Sequence, residues 1–424
     1  MSVLYTIGIL LFSLGVRIAA LYGNAKAMLW VKGRKTQGTA LRQAQGPDST
    51  EQWIWFHAAS LGEFEQGRPV IEALKHDFPQ YKILLSFFSP SGYEIRKDYP
   101  LADEVLYLPS DTPAHAAQWV QRHRFVAAFF IKYEFWFNYM WALKEAGIPL
   151  FYISLILKPD SYFFRWYGTW FFRQLKNVTH FFVQDDTTAQ LLQSNGMTNV
   201  TVCGDTRFDR VAAIAQQAKP FPEVERFIAG RQCIIAGSTW PPDEKLLVEC
   251  CSQLPDDYCL IIAPHDISAS HVAQIQALFP DSQLFTELDA RSLSPELVEG
   301  SKGRPTRILI INTIGILSQL YQYARFVYIG GGFGVNIHNI QEPVTFGCPV
   351  VFGPKYKSFK EAVDLVGLEG AFSIGNATEL ASIFNRLMTE DDYYAKASQT
   401  CRDYLNSQVG ATKSILEGFK KALF

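Results

Sequence analysis

Short apolar runs alternate with amphipathic stretches along most of the chain. Runs of about four to eight residues, rich in β-branched and aromatic side chains and bounded by turn residues, predict strands buried on both faces. The stretches between them predict the helices that cover such a sheet. In the first half the runs fall at Trp53–His57, Lys82–Phe87, Glu104–Leu108, Ala127–Ile131, Leu150–Ser154 and His180–Gln184, with helices such as Gly67–Asp77 and Ala114–Gln121 between them. A second series comprises Gln232–Ala236, Cys259–Ala263, Arg307–Asn312, Phe326–Ile329 and Pro349–Phe352. The join lies around Phe208–Pro222, where a helical pattern runs into a proline-containing linker. Alternation of this kind predicts the α/β class, with two Rossmann-like domains over 26–210 and 211–424. The segment Asp391–Phe424 reads as helical, its last part packing back on the first domain. In open parallel sheets, ligands bind beyond the carboxyl ends of the strands, so the loops after these strands are where chemistry is expected.

Three segments fall outside the alternation. Gln37–Gln52 and Ser292–Pro305 are polar, carry Gly and Pro and show no period, so both read as surface loops inserted without chemistry. Residues 1–25 are different. Val3 to Val16 carries no charge, and the apolar character continues past Arg17 to Tyr22; Lys26, Lys32, Arg34 and Lys35 follow. A secretory signal would place its positive charge before the apolar run and a small-residue cleavage site after it, the reverse of this order. A retained anchor with its basic side cytoplasmic, an interfacial helix and a buried N-terminal helix all fit the pattern; the first two hold the chain at an anionic membrane surface.

Composition narrows the classes further. Of 424 residues, 48% are hydrophobic and 19% charged, which excludes a disordered chain and allows two sizeable cores. A net charge of −2 gives no support to a nucleic-acid partner. The seven cysteines form no Cys-x-x-Cys pair and sit in core-like runs, the pattern of small buried hydrophobes in a reducing compartment rather than of a zinc site.

Several strand-end loops carry candidate chemistry. His57-Ala58-Ala59-Ser60-Leu61-Gly62-Glu63 follows the first strand, with small residues that let a ligand approach and Glu63 near a helix start. Such a carboxylate is either a general base for a sugar hydroxyl or an ordinary first-turn Glu held by the helix dipole. Ile329-Gly330-Gly331-Gly332-Phe333-Gly334, with Asn336, His338, Asn339 and Glu342 behind it, predicts a backbone cradle for phosphate, with Asn339 and Glu342 placed for ribose hydroxyls. It is no dinucleotide fingerprint, since the third glycine position is Ile337. Loops at Ala236–Pro241, Ala263–His265 and Asn312–Ile316 would converge on that cradle. Lys132, Glu134 and Asn138 follow the fourth strand, and Arg207 lies near the domain join, suiting a donor with a carboxylate and a phosphate leaving group.

Taken in order, HAASLGE (His57–Glu63), KYEFWFN (Lys132–Asn138), GDTRFD (Gly204–Asp209), AGSTWPPDE (Ala236–Glu244), APH (Ala263–His265), NTIGIL (Asn312–Leu317), GGGFGVNIHNIQEP (Gly330–Pro343) and FGP (Phe352–Pro354) resemble the 3-deoxy-D-manno-oct-2-ulosonic acid (Kdo) transferases of lipopolysaccharide synthesis. The resemblance covers nearly the whole chain apart from the two loop-like insertions. It implies a GT-B fold of two Rossmann-like domains facing a central cleft, and inverting transfer of Kdo from CMP-Kdo to the lipid A precursor lipid IVA. It also implies no metal or other cofactor, and a place at the cytoplasmic face of the inner membrane. Glu63 falls on the family's base, with Glu134 and Arg207 in its other catalytic motifs. The CMP contacts fall on Pro264 and His265, on Ile314, Gly315 and Ile316, and on Asn339, Ile340, Gln341 and Glu342. The chain departs from the family at several positions: His265 stands where Arg is common, Asn312 and Ile316 where Asp and Glu are common, Lys132 where an acid is usual, and Arg207 where Lys is usual. The alternatives are another GT-B glycosyltransferase with a UDP-sugar donor, a non-catalytic nucleotide-sugar-binding membrane protein, and a UDP-sugar epimerase. The intact HAASLGE motif speaks against the second, and the apolar N-terminal segment against the third.

Overall fold

The computed structural model describes residues 2–43, 50–251, 254–288 and 306–423. They form two compact units, Met1–Asp209 with Gln408–Phe424, and Arg210–Ser407.

The first unit is built on seven parallel strands: β1 (Gln52–Ala58), β2 (Lys82–Phe87), β3 (Glu104–Tyr107), β4 (Arg124–Ile131), β5 (Leu150–Leu155), β6 (His180–Val183) and β7 (Val200–Val202). Their order across the sheet is 3-2-1-4-5-6-7, so the direction of winding reverses between β1 and β4. The six apolar runs read from the sequence are six of these strands. β7 was not among them, because its three edge residues are not fully buried and leave no apolar run. Every residue of β5 is buried, which two-sided helical cover requires of a central parallel strand. Side chains on one face join a core around Trp55, Phe130, Tyr139 and Tyr152; those on the other join Ile54, Phe56, Phe129 and Phe151.

The second unit repeats the plan with β8 (Gln232–Thr239), β9 (Tyr258–Pro264), β10 (Ser282–Leu284), β11 (Ile308–Ile310), β12 (Ala324–Ile329), β13 (Val350–Phe352) and β14 (Ala371–Ser373). Their order is 10-11-9-8-12-13-14, reversing between β8 and β12. The edge strands β10 and β14, three residues each, again lack an apolar run. Two Rossmann-like units of this order make the GT-B fold.

The polar stretch read as a loop from Gln37 is helical as far as Gln43, continuing the helix Ala25–Gln43. Tertiary contacts supply what local pattern does not. Gln37 Oε1 accepts the Tyr107 amide at 2.7 Å, and Arg34 donates to the carbonyls of Leu108 and Phe88 at 2.9 Å each, its guanidinium 3.9 Å from the Trp30 ring centroid. The other loop-like stretch, 292–305, lies outside the described residues.

The helix Ser2–Leu21 is long and apolar enough to cross a membrane by length and composition. It is not the buried helix of the third reading, since Val3, Leu4 and Leu11 are all more than 60% exposed. One edge of it is fastened to the first unit. The Tyr5 hydroxyl donates to Asp111 Oδ2 at 2.6 Å, and Ser13 and Ser110 share a hydrogen bond of 3.0 Å. Asp111 also accepts the amides of Asn138 and Tyr139. Burial still outweighs these three donors and pushes its carboxyl up to about 6.

The tail returns to the first unit. Asp209 accepts the amides of Gly410 and Thr412, both at 2.6 Å, and starts the helix Ala411–Leu423. Ile415 and Phe419 of that helix are fully buried among Phe78, Phe129 and Phe151. Phe419→Ala would leave a cavity in that cluster and cost about 3–5 kcal/mol. Thermal unfolding of the full chain should show a clear fall in Tm.

Candidate active site

Where winding reverses, the loops after the two central strands run to opposite faces of the sheet and leave a crevice between them. In the first unit these are the loops after β1 and β4, and they carry Glu63 and Glu134.

Ser60 is extended and caps the helix Leu61–Asp77, placing Glu63 in the first turn. The Glu63 carboxylate folds back to accept the amides of Ala59 at 2.5 Å and Ser60 at 3.2 Å. That is the helix-end arrangement of the ordinary reading. Its environment adds something else. Partial burial, then the nearby Glu134 charge, push the carboxyl up to about 7, against the two amides and the Lys132 charge that pull it down. A carboxyl poised there exchanges protons near neutral pH, the property a general base needs.

Glu134 is held from several strands. β4 exits through Lys132 in a left-handed conformation (φ 59°), a strained state for a residue with a Cβ. The Lys132 amide donates to Ile153 of β5 at 3.0 Å. Glu134 Oε2 then accepts the Trp136 indole N–H at 2.7 Å and lies 3.1 Å from His57 Nε2. His57, wholly buried in β1, places its Nδ1 2.8 Å from Ser86 Oγ on β2. That same hydroxyl accepts the Trp55 indole N–H at 2.7 Å. The Tyr152 hydroxyl of β5 donates to the Glu134 carbonyl, also at 2.7 Å. Sequence reasoning placed Glu134 but not its partner His57. The available signal was a histidine inside an apolar strand, which burial obliges to find polar partners.

Arg207 stands in a different relation. Its Nε and Nη2 donate to Asp205 Oδ2 at 2.8 and 2.6 Å, so it is presented as half of an ion pair rather than as a bare cation. The turn that carries it is tied to the helix of Glu63. Thr206 Oγ1 donates to the Gln66 carbonyl, and Gln66 Nε2 donates to Asp205 at 3.4 Å.

In the second unit the reversal lies between β8 and β12, and the glycine run follows β12. Its glycines serve packing as much as any ligand. A Cβ on Gly330 would sit 2.3 Å from the Ser238 carbonyl oxygen. Three amides expected to cradle phosphate are engaged within the unit: Gly330 donates to Gly237, Gly331 to Asp243 Oδ2 and Gly334 to the Gly331 carbonyl. Asp243, almost wholly buried, also accepts the Trp240 amide and the Tyr328 hydroxyl, and so clamps the β8 loop to the glycine run. Behind it, buried Glu244 accepts from Thr239 Oγ1 and lies 3.0 Å from His271 Nε2. These two carboxylates were quoted in a motif without a role.

The predicted donor contacts divide into those that reach the surface and those that do not. Pro264 ends β9, and the exposed His265 ring beyond it stacks over both Trp240 (4.6 Å) and His338 (4.4 Å), which lie side by side. The Trp240 indole N–H reaches His338 Nε2 at 3.0 Å, and burial beside His265 lowers the His338 pKa. Where an arginine would offer a permanent cation, this chain therefore offers a stack of three rings. Ile314 is 81% exposed, Gly315 turns with φ 93°, and Ile316 caps a short helix at Leu317. Asn339 Nδ2 donates to Glu342 Oε1 at 3.1 Å, and burial raises the Glu342 carboxyl. Ile340 and Gln341 turn inward, the latter donating to Glu361, so their side chains are not at the surface. Asn312 is occupied with Thr286 across the loop.

Residues 33–210 match the family model of 3-deoxy-D-manno-octulosonic-acid transferases (kdotransferases). Among curated proteins, the 3-deoxy-D-manno-octulosonic acid transferase of Aquifex aeolicus is 24% identical, over 79% of this chain and 86% of its own length. That of Bordetella pertussis is 23% identical over 96% and 98%. Among solved structures, a UDP-GlcNAc 2-epimerase from Neisseria meningitidis superposes with a TM-score of 0.60 over 88% of this chain and all of its own, at 14% identity, a likeness of fold alone. Full-length similarity to enzymes of one name, the family domain over residues 33–210 and the fold agree: the chain is a glycosyltransferase similar to the Kdo transferases of lipopolysaccharide biosynthesis.

Proposed function

We propose that the chain transfers Kdo from CMP-Kdo to a lipid A precursor, lipid IVA, with inversion at the anomeric carbon and without a metal ion, from the cytoplasmic face of the inner membrane. The observation that carries this reading is Glu63: a carboxyl raised to about 7, held at a helix start beside Glu134 at the reversal point of its sheet.

The acceptor hydroxyl gives its proton to Glu63 as its oxygen bonds to C2 of Kdo. The bond from C2 to the CMP phosphate breaks on the opposite face, and its electron pair leaves with CMP. Burial sets the pH at which Glu63 is ready, and Glu134 and Lys132 adjust it, the first opposing the carboxylate and the second favouring it. CMP would be read by the exposed contacts, His265 with its ring stack, the Ile314–Ile316 turn, and Asn339 with Glu342. His265 and the backbone beyond the engaged glycines are the groups left to meet phosphate. Arg207, held by Asp205 through Nε and Nη2, would lend its guanidinium charge to the leaving phosphate.

The decisive experiment supplies CMP-Kdo, generated in situ, and a tetra-acylated lipid A precursor, and reads the product by mass spectrometry. A gain of one or more Kdo masses is expected, with CMP and not UDP competing; competition by UDP alone would overturn the donor. Activity should survive EDTA unchanged. Glu63→Gln should lower kcat by about two to four orders of magnitude with donor affinity kept; retained turnover would remove Glu63 as the base. Because the active form is the carboxylate, kcat should rise with pH through a midpoint near 7 and level off above it. Glu134→Gln removes a charge that raises Glu63 and should move that limb to lower pH. Lys132→Gln removes one that lowers it and should move the limb up.

A further inference from the structure

Between β5 and β6 the chain makes an excursion that holds aromatic side chains out at the surface. The 3₁₀ turn Tyr162–Phe164 buries Phe163, and the short helix Thr169–Gln174 packs Trp170 and Phe171 against Phe137. Between them Trp166 is 90% exposed and Tyr167 50% exposed, ring edge to face at 5.5 Å. This tip is braced. The Gly168 amide donates to the Arg165 carbonyl at 2.8 Å and the Phe164 amide to Ser161 at 3.0 Å. Gly168 passes so close to Tyr162 that a Cβ would lie 1.8 Å from its carbonyl oxygen. An indole held out in water on a fixed turn forgoes the burial that its large apolar area would gain elsewhere.

Two further observations say what covers it. The first is continuity with the apolar helix Ser2–Leu21. The Tyr5 ring lies 5.1 Å from Phe137 and 6.1 Å from Trp170, so helix and turn are joined through one aromatic cluster. The second is charge. Lys158, Arg165, Arg173 and Lys176 are exposed around the turn, against the single acid Asp160. Aromatic tips ringed by basic side chains match the interface of an anionic bilayer, where indole and phenol rings sit at headgroup depth and Lys and Arg meet phosphate. The helix itself is fastened to the unit at Tyr5 and Ser13, about 12 Å apart along its axis. A helix pinned so lies along a bilayer surface, since crossing would drag the polar Asp111 and Ser110 into hydrocarbon.

We infer that the turn Ser161–Gly168 is a second membrane contact, inserting Trp166 and Tyr167 into the headgroup layer of an anionic bilayer beside the helix Ser2–Leu21. The inference rests on the membrane reading above and adds to it a specific, rigid element. The test uses the full chain and vesicles of phosphatidylethanolamine and phosphatidylglycerol. Trp166→Ala with Tyr167→Ala should weaken vesicle binding about tenfold or more while leaving Tm unchanged, given the aromatic area removed. Trp166→Phe keeps most of the apolar body. With brominated lipids, wild-type emission should be quenched more than that of Trp166→Phe, the difference reporting Trp166 at the bilayer. Unchanged binding by the double variant together with equal quenching would overturn the second contact and leave the helix as the membrane element. A wild-type chain that does not bind these vesicles would overturn the membrane reading itself.

Discussion

Everything at the candidate site depends on strands that are parallel. A parallel sheet sets all its carboxyl ends on one edge, and in an open sheet crossovers of one hand cover both faces only by winding outward from the middle in both directions. The two central strands therefore release their chains to opposite faces, and a gap opens where hydrogen-bonded backbone stops. β1 and β4 make that gap in the first unit, and β8 and β12 make it in the second. Glu63, Glu134, Trp240 and the glycine run lie beside these two gaps. Left-handed backbone occurs beside both, at Lys132 and Ser238.

A gap between backbone ends offers no chemistry by itself. It becomes useful because buried polar groups behind it fix the surface groups in front. His57, Ser86 and Trp136 hold one carboxylate, while Asp243 and Glu244 hold two loops. The two units solve this differently. In the first, a histidine inside a strand reaches outward to a carboxylate; in the second, two carboxylates at a helix start reach back, Asp243 to amides and Glu244 to the Thr239 hydroxyl. In both, the low-dielectric setting makes an unfilled partner costly, so the arrangement is rigid before any substrate arrives.

The central strands were legible because a strand covered on both faces has only apolar residues to use, and such runs stand out. Three edge strands, β7, β10 and β14, were not, because half of an edge strand meets water. Glu63 and Glu134 were legible from position, one at a helix start and one just beyond a strand. The raised carboxyl of Glu63 was not, since it arises first from burial and then from a neighbour 71 residues away in sequence, both of which only folding supplies. The helix through Gln43 was hidden for the same reason: its support is Tyr107 and Leu108, not its own periodicity. The glycine run is ambiguous in a simpler way, for glycine marks both a ligand's approach and another backbone's, and here three of its amides already have partners.

The return of the chain to its starting unit carries a consequence for synthesis. Residues 1–209 make up most of the first unit, yet Ile415 and Phe419 from the far end fill its core beside Phe129 and Phe151. A ribosome that has finished the first sheet has therefore exposed a nascent fold with an open apolar slot. That slot closes only when nearly two hundred residues of the second unit have followed and the last helix emerges. Release of the chain before Ile415 leaves the slot unfilled, so the helix Ala411–Leu423 acts as a seal that arrives only after the second unit has been made.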